Sequence, residues 1–258
     1  MNYYTHQLPT QKTKTTKKPP QITYMTIPTV LRNLEKTLSL EPVPNIPKQK
    51  RKLREKSREM TIHRLRTPIS EEVIRKLRVN DLLYISGTVV TARDQAHRRA
   101  LEYFKKGKPL PVNLEGLAVF HCGPVMSKQG DRWIAVAAGP TTSARMEIFE
   151  DEFIKNFKLR VIIGKGGMGE KTADAMAKYG AVYGAFTGGA AVLAAKAIKN
   201  VKDVVWLDLG MPEAMWILEV DEFGPLLVVI DSCGNNLFRD VAEQAERNRQ
   251  KIYRKLGV

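Results

Sequence analysis

The chain has 258 residues, 43% of them hydrophobic, with a formal net charge of +15, enough for one large or two small globular domains with a real core. No apolar run approaches the roughly 20 residues of a membrane helix, and the N-terminus lacks a secretory apolar segment, so a cytoplasmic protein is expected. The two cysteines, Cys122 and Cys233, lack metal-ligand spacing and fall short of the three or four thiolates an iron–sulfur cluster takes, so no metal ligand is expected from this chain.

Residues 1–59 hold 13 Lys and Arg against 4 Asp and Glu, a net of +9, which leaves only +6 for residues 60–258. The basic excess is therefore mostly a tail, which argues against nucleic acid as the partner of the folded part. With "TQKTKTTKKPP" and "PNIPKQKRKLREKSRE" the tail reads as a largely disordered basic extension; its weakly apolar "TVLRNLEKTLSL" is the one short helix expected there. A self-contained domain starts at Met60, so an overcalled start is preferred to an RNA, membrane or targeting role for the tail.

From residue 60 the punctuation is regular. "SEEVIRKL" carries an N-cap serine and helical spacing. "DLLYISGTVV" reads as a strand and "TARDQAHRRALEYFKKG" as a helix. "GLAVFHC" and "RWIAVAAG" are strands separated by the turn "SKQGD". "SARMEIFEDEFIKNF" is a helix, "LRVIIGKGG" a strand entering a glycine loop, and "EKTADAMAKYG" a helix. "AVYGAFTGG" and "AAVLAAKAIKN" repeat the strand, glycine, helix unit. "DVVWLDLG", "AMWILEVDEFG" and "PLLVVIDSCGNN" are strands, and a charged helix from about Leu237 to Lys255 closes the chain. This order predicts an α/β layered domain with a mixed sheet over residues 60–258.

Functional groups in such domains collect past the carboxyl ends of strands, and three polar clusters sit there. In "TARDQAHRR", Arg93 and His97 are four apart, so on a helix a cation and an imidazole share one face; a solvated basic first turn capped by Thr91 is the equally weighted alternative. In "AAGPTTSARME", backbone amides after Pro140, the Thr141 and Thr142 hydroxyls and the Arg145 fork suit an anion, while an ordinary Thr or Ser N-cap beside a surface arginine stays open. In "IIGKGGMGEKTADAM", glycines hold Lys165 near exposed amides; the Walker pattern is absent, and the literal GxGxxG of Gly164, Gly166 and Gly169 has no acidic partner near position 189. Arg93, Arg145 and Lys165 together suit a small dicarboxylate better than a nucleotide. His121 reads as a satisfied strand-end histidine, His63 stands alone, Cys122 and Cys233 read as small buried or turn residues, and Trp206 and Trp216 fall in strand patterns.

The clusters "GTVVTARDQAHRR", "GPTTSARM" and "IGKGGMG", followed by "LGMPEAMW", "EVDEFGPLLVVID" and "GNNLF", resemble the beta subunit of two-subunit class I fumarate hydratases and L(+)-tartrate dehydratases over essentially all of residues 60–258. The resemblance implies a swivelling β/β/α domain forming half of an iron–sulfur hydro-lyase. It implies a 4Fe-4S cluster held by a partner alpha subunit and none bound by this chain alone, with one iron acting as Lewis acid for the departing hydroxyl. It implies that Arg93, Arg145 and Lys165 clamp the substrate carboxylates. Thr141 corresponds to a hydroxyl that helps abstract the proton next to a carboxylate, aided by an acidic residue of the partner. His97 matches a histidine marked as an active-site residue and competes for the same role. The expected activity is reversible hydration of fumarate to (S)-malate, with dehydration of L-tartrate to oxaloacetate as the runner-up and RNA or nucleotide binding a distant alternative. The same resemblance implies a hetero-oligomer of two alpha and two beta chains with no membrane partner.

Overall fold

The computed structural model describes residues 60–256, which fall within one compact unit, Arg58–Val258. The extension read in residues 1–59 and its short helix lie outside the described residues. In chain order the elements are β1 (Ile62–Arg66), α1 (Glu71–Ile74), β2 (Leu82–Thr91), α2 (Asp94–Lys105), β3 (Ala118–Phe120), β4 (Val125–Gln129) and β5 (Arg132–Ala137). A 3-10 turn (Ser143–Met146) then leads into α3 (Glu147–Phe157), β6 (Val161–Gly164), α4 (Glu170–Tyr179), β7 (Val182–Ala185), α5 (Ala191–Ala197) and β8 (Ile198–Val205). A second 3-10 turn (Leu207–Leu209), β9 (Met215–Ile230) and α6 (Leu237–Leu256) complete it.

The α/β reading with a mixed sheet holds, and the sheet closes on itself. β1, β2, β3, β6 and β7 run parallel to their neighbours. β9 then lies antiparallel to β7 at one end and to β2 along its length, which joins the two sides of the ring, with β8 on its outer edge. β3 and β6 are buried along their whole length, as short apolar parallel strands covered on both faces should be. Successive residues point to opposite faces, so Phe120, Ile163 and Val182 join a core built mostly from strands, with Trp216 and Phe223. Val119, Ile162 and Tyr183 face a second core completed by Phe153, Ile154 and Met176 of α3 and α4.

Local chemistry sets several boundaries. Ser70 opens α1 by accepting a hydrogen bond from the Val73 amide, as an N-cap serine does. Gly180 ends α4 at φ +72, the left-handed position that favours glycine. The structure also corrects the sequence reading. β1 carries an alternating polar pattern that drew no strand assignment. Ser127, Lys128 and Gln129, read as part of a turn, belong to β4, which pairs with β5 as a hairpin. Ile198–Asn200, read as the end of a helix, begin β8. The two strands expected around Gly224 are one 16-residue strand, β9, which passes through an irregular point at Glu222 (φ 49) instead of turning back. Trp206 sits after β8 at the start of a 3-10 turn, half-buried against Tyr103 and Arg99. His63 is not alone, since Asp81 lies 3.2 Å from its Nε2.

Candidate functional site

Because β2, β3 and β6 are parallel, their carboxyl ends open on one edge of the sheet, where α/β domains collect ligands. The segment after β5 folds across those ends. The Thr141 amide donates to His121 O at 2.7 Å, the Lys165 amide to Thr141 O at 3.3 Å, and the Ser143 amide to Lys165 O at 3.0 Å. The junctions after β3, β5 and β6 thereby form one corner, which the Ala92 amide, donating to Phe120 O at 3.1 Å, extends to the junction after β2.

Side chains tie it further. Arg145 Nη2 donates to Asp94 Oδ2 at 3.0 Å and to Thr141 Oγ1 at 3.2 Å. Burial alone would raise the Asp94 carboxyl, but its own backbone amide and the Arg145 guanidinium outweigh that and hold it below the usual range. Arg93, which precedes α2 in extended conformation, places Nε 3.1 Å from Glu213 Oε1, and the other Glu213 oxygen accepts from the Gln95 amide at 3.0 Å. Lys165 is exposed. Of the five residues singled out from sequence, Thr141 and Arg145 touch directly, Arg93 adjoins Asp94, and Lys165 joins through its backbone. The amides of Thr141 and Ser143 are consumed by backbone partners.

The alternatives left open by spacing are resolved in detail. Thr91 does not cap α2; it is buried and accepts from the Trp216 amide at 3.0 Å. Neither Thr142 nor Ser143 caps the 3-10 turn with its side chain. His97 does not share an open face with the Arg93 side chain, because it is fully buried and its Nδ1 donates to Arg93 O at 2.8 Å. Beside it, Glu150 Oε2 lies 3.5 Å from His97 Nε2 and 3.1 Å from His121 Nε2, all three side chains at 0% exposure. His121 Nδ1 meets Ser143 Oγ at 2.9 Å, and Ser143 Oγ meets the Tyr183 hydroxyl at 3.0 Å. Burial pushes the Glu150 carboxyl up, but the close imidazoles of His121 and His97 outweigh it and bring it to about 2, acting at ion-pair distance, since none of these atoms meets another in hydrogen-bond geometry. Burial lowers His121, against the opposing pull of Glu150.

The glycine loop has a different character from a phosphate cradle. Glu147 accepts from the Gly169 amide at 2.7 Å, from the Thr172 hydroxyl at 2.7 Å and from the Thr172 amide at 3.2 Å. A carboxylate of the chain itself thus occupies the N-terminus of α4, where a nucleotide phosphate would sit. Gly164 is required by packing, since any Cβ there would overlap Ser143 Oγ.

Cys122 is buried, with its thiol pushed up to about 12 by burial, and Cys233 is exposed. A neutral buried thiol and one isolated surface cysteine do not fit an iron–sulfur cluster. His97, His121 and Glu150 offer ligand atoms within 4.8 Å of one another, a grouping the cysteine spacing did not signal. Sequence reasoning also passed over Asp94, Glu213 and Tyr183, and it noticed Ser143 as a corner hydroxyl without foreseeing its contacts to His121 and Tyr183. Asp94 and Glu213 lie within quoted motifs, whereas Glu150 sits in an acidic helical run that reads as a solvated face.

Residues 33–241 match the family described as Fumarase C-terminus. The chain is 45% identical over 188 residues to the L(+)-tartrate dehydratase subunit beta of Escherichia coli (strain K12), covering 73% of this chain and 92% of that protein. It is 44% identical over 190 residues to the "Putative L(+)-tartrate dehydratase subunit beta" of Methanocaldococcus jannaschii, covering 73% and 94%. It is 42% identical over 182 residues to the "Putative fumarate hydratase class I" of Geobacillus stearothermophilus, where it spans 70% of this chain but 34% of that longer protein. With four-fifths of its length matched by the family model, and relatives 44–45% identical matched over 92–94% of their length, the chain belongs to the Fumarase C-terminus family.

Proposed function

We propose that this chain is the beta subunit of a hydro-lyase acting on a four-carbon dicarboxylate, and that the corner formed by Arg93, Thr141, Arg145 and Lys165 receives the substrate carboxylates. The observation that carries the reading is the joining of four strand-to-helix and strand-to-loop junctions at one sheet edge, with Arg145 hydrogen-bonded to both Asp94 and Thr141. A guanidinium fork and an ammonium are suited to planar carboxylates. The filled N-terminus of α4 weighs against a nucleotide ligand.

Within this reading Arg145 holds one carboxylate and stabilises negative charge as the carbon-bound proton leaves. A hydroxyl that accepts from a guanidinium is more easily ionised than a free one, which favours Thr141 as the group nearest the reacting carbon. His97 acts through Arg93 instead of touching substrate, since it is enclosed in the interior. The 4Fe-4S cluster belongs to the partner alpha subunit, because this chain has no cysteine set to hold it. We also assign the closed mixed sheet to the swivelling β/β/α class, and the cell compartment to the cytoplasm; no helix among the described residues is long and apolar enough to cross a membrane.

Fumarate and (S)-malate are the first substrate pair. L-tartrate is the second, favoured by the names of relatives 44–45% identical. The two differ by one hydroxyl, so a few polar contacts, some from the partner, decide between them. The test is the alpha–beta complex assayed with each substrate. Turnover of either pair by the complex and by neither subunit alone supports a shared site, and an intact complex that turns over none of them overturns the proposed substrate class.

A further inference from the structure

Every junction of the proposed carboxylate site is anchored to one buried polar network. At one end, His97 Nδ1 donates to the carbonyl of Arg93 at 2.8 Å. In the middle, His121 meets Ser143 Oγ at 2.9 Å through its ring while its carbonyl accepts from the Thr141 amide at 2.7 Å. At the other end, the single Tyr183 hydroxyl hydrogen is shared between Ser143 Oγ and Gly166 O, each at 3.0 Å. In the interior Glu150 links the first end to the rest, because its Oε2 faces both imidazoles, in addition to the Arg145–Asp94 contact at the surface.

Proton bookkeeping shows what Glu150 must do. A carbonyl oxygen only accepts, so the His97 nitrogen facing Arg93 O carries hydrogen, and the neutral ring would then turn a lone pair toward the carboxylate. The approach of His97 Nε2 to the carboxylate is favourable only with a hydrogen between them. Ser143 has a hydroxyl hydrogen to offer His121 Nδ1, which leaves His121 Nε2–H free to donate toward Glu150. No solvent reaches any of the three side chains, and both Nε2 atoms and the Glu150 carboxylate face one another without a hydrogen bond of good geometry, so what compensates them is charge at 3.1 and 3.5 Å. Without the carboxylate, two buried rings with centroids 5.3 Å apart would face each other uncompensated.

We propose that Glu150 is a positioning residue, whose buried carboxylate joins His97 and His121 and so locks the Arg93 junction to the Thr141–Arg145 corner. The proposal rests on the corner being a carboxylate-binding site for its kinetic consequence, but the coupling itself is a property of this chain alone. Glu150→Gln keeps the shape and cannot hold both contacts in the same proton arrangement. A metal ion bridging the same three ligand atoms is the rival arrangement that the test must separate.

The experiment uses nitrogen-15-labelled full-length chain, wild type and Glu150→Gln, with amide and histidine spectra recorded alongside metal analysis, and kinetics in the complex with the partner subunit. The expected result is a change in the His97 and His121 ring nitrogens together with shifted amides of Arg93, Thr141 and Arg145, no stoichiometric metal in either protein, and a KM for dicarboxylate raised about tenfold with kcat within about threefold. Glu150→Asp should recover part of that KM. Amide changes confined to the neighbours of Glu150, or lowered thermal stability with KM unchanged, would overturn the positioning role. One equivalent of metal bound by wild type and lost in Glu150→Gln would overturn it in favour of a metal site. Coupled amide shifts in a protein whose complex turns over no dicarboxylate would uphold the coupling and refute the proposed substrate. If Glu150→Gln does not accumulate folded, Ser143→Ala removes the side-chain link between His121 and the corner while leaving the Glu150 contacts in place. It should raise KM in the same way, and an unchanged KM would count against the proposal.

Discussion

Arg145 Nη2 lies 3.0 Å from Asp94 Oδ2, joining the turn that starts α3 to the first residue of α2. Both partners are partly exposed, at 47% and 30%, so the pair adds little to stability, at most about 1 kcal/mol. Its consequence is orientation: the guanidinium is held against Thr141 with its remaining donors available to a ligand.

Arg145→Ala should therefore leave the melting temperature of the chain nearly unchanged while lowering kcat/KM of the complex on the order of a hundredfold or more. A thermal melt and a steady-state assay on the same preparation separate the two effects. A subunit serving assembly alone would keep full activity.

The buried carboxylate makes an acid-stability prediction. Glu150 has a folded pKa of about 2 against an ordinary value of 4.5, so its stabilisation is present above about 4.5 and is lost as pH falls through about 2. His121, lowered by burial, acts in the same direction, since the unfolded chain takes up its proton first as pH drops below 6.5. Denaturant melts from pH 7 to pH 2 should show stability falling throughout the acid range. In Glu150→Gln the component below pH 4.5 should be smaller.

Gly164→Ala places a methyl group against Ser143 Oγ in a region without slack. Overpacking of this kind costs about 1–3 kcal/mol, measurable as a shift in urea midpoint. An unshifted midpoint would mean that Ser143 moves away freely.

Glu147→Ala removes the acceptor for the Gly169 amide, the Thr172 amide and the Thr172 hydroxyl. Losing such a cap should cost about 1–2 kcal/mol and speed hydrogen exchange at Gly169 and Thr172. Faster exchange at those two amides, with the rest of the sheet unchanged, is the specific signature.

The contrast between what the sequence made legible and what it hid has physical causes. β2, β6, α2 and α4 were readable because apolar runs or 3.6-residue spacing end at glycine or polar breaks, and Arg93, Thr141, Arg145 and Lys165 were noticed because they sit at those breaks. β1 and β4 were missed because edge and hairpin strands with one wet face carry a weak apolar signal. β9 was split because Gly224–Pro225 reads as a turn, although pairing with β2 carries the strand through it. Glu150 was invisible for a different reason: an acidic residue within "EIFEDEF" looks solvated, and only the tertiary approach of His97 and His121 turns it inward.

The most direct test of the central claim is an anaerobic assay of the alpha–beta complex with fumarate, (S)-malate and L-tartrate, comparing wild type with Arg145→Ala. Dicarboxylate turnover by the wild-type complex, absent from each subunit alone and reduced on the order of a hundredfold by the substitution, is the predicted result. Full activity of the Arg145→Ala complex, or no turnover of any of the three by a complex with its cluster intact, would contradict it.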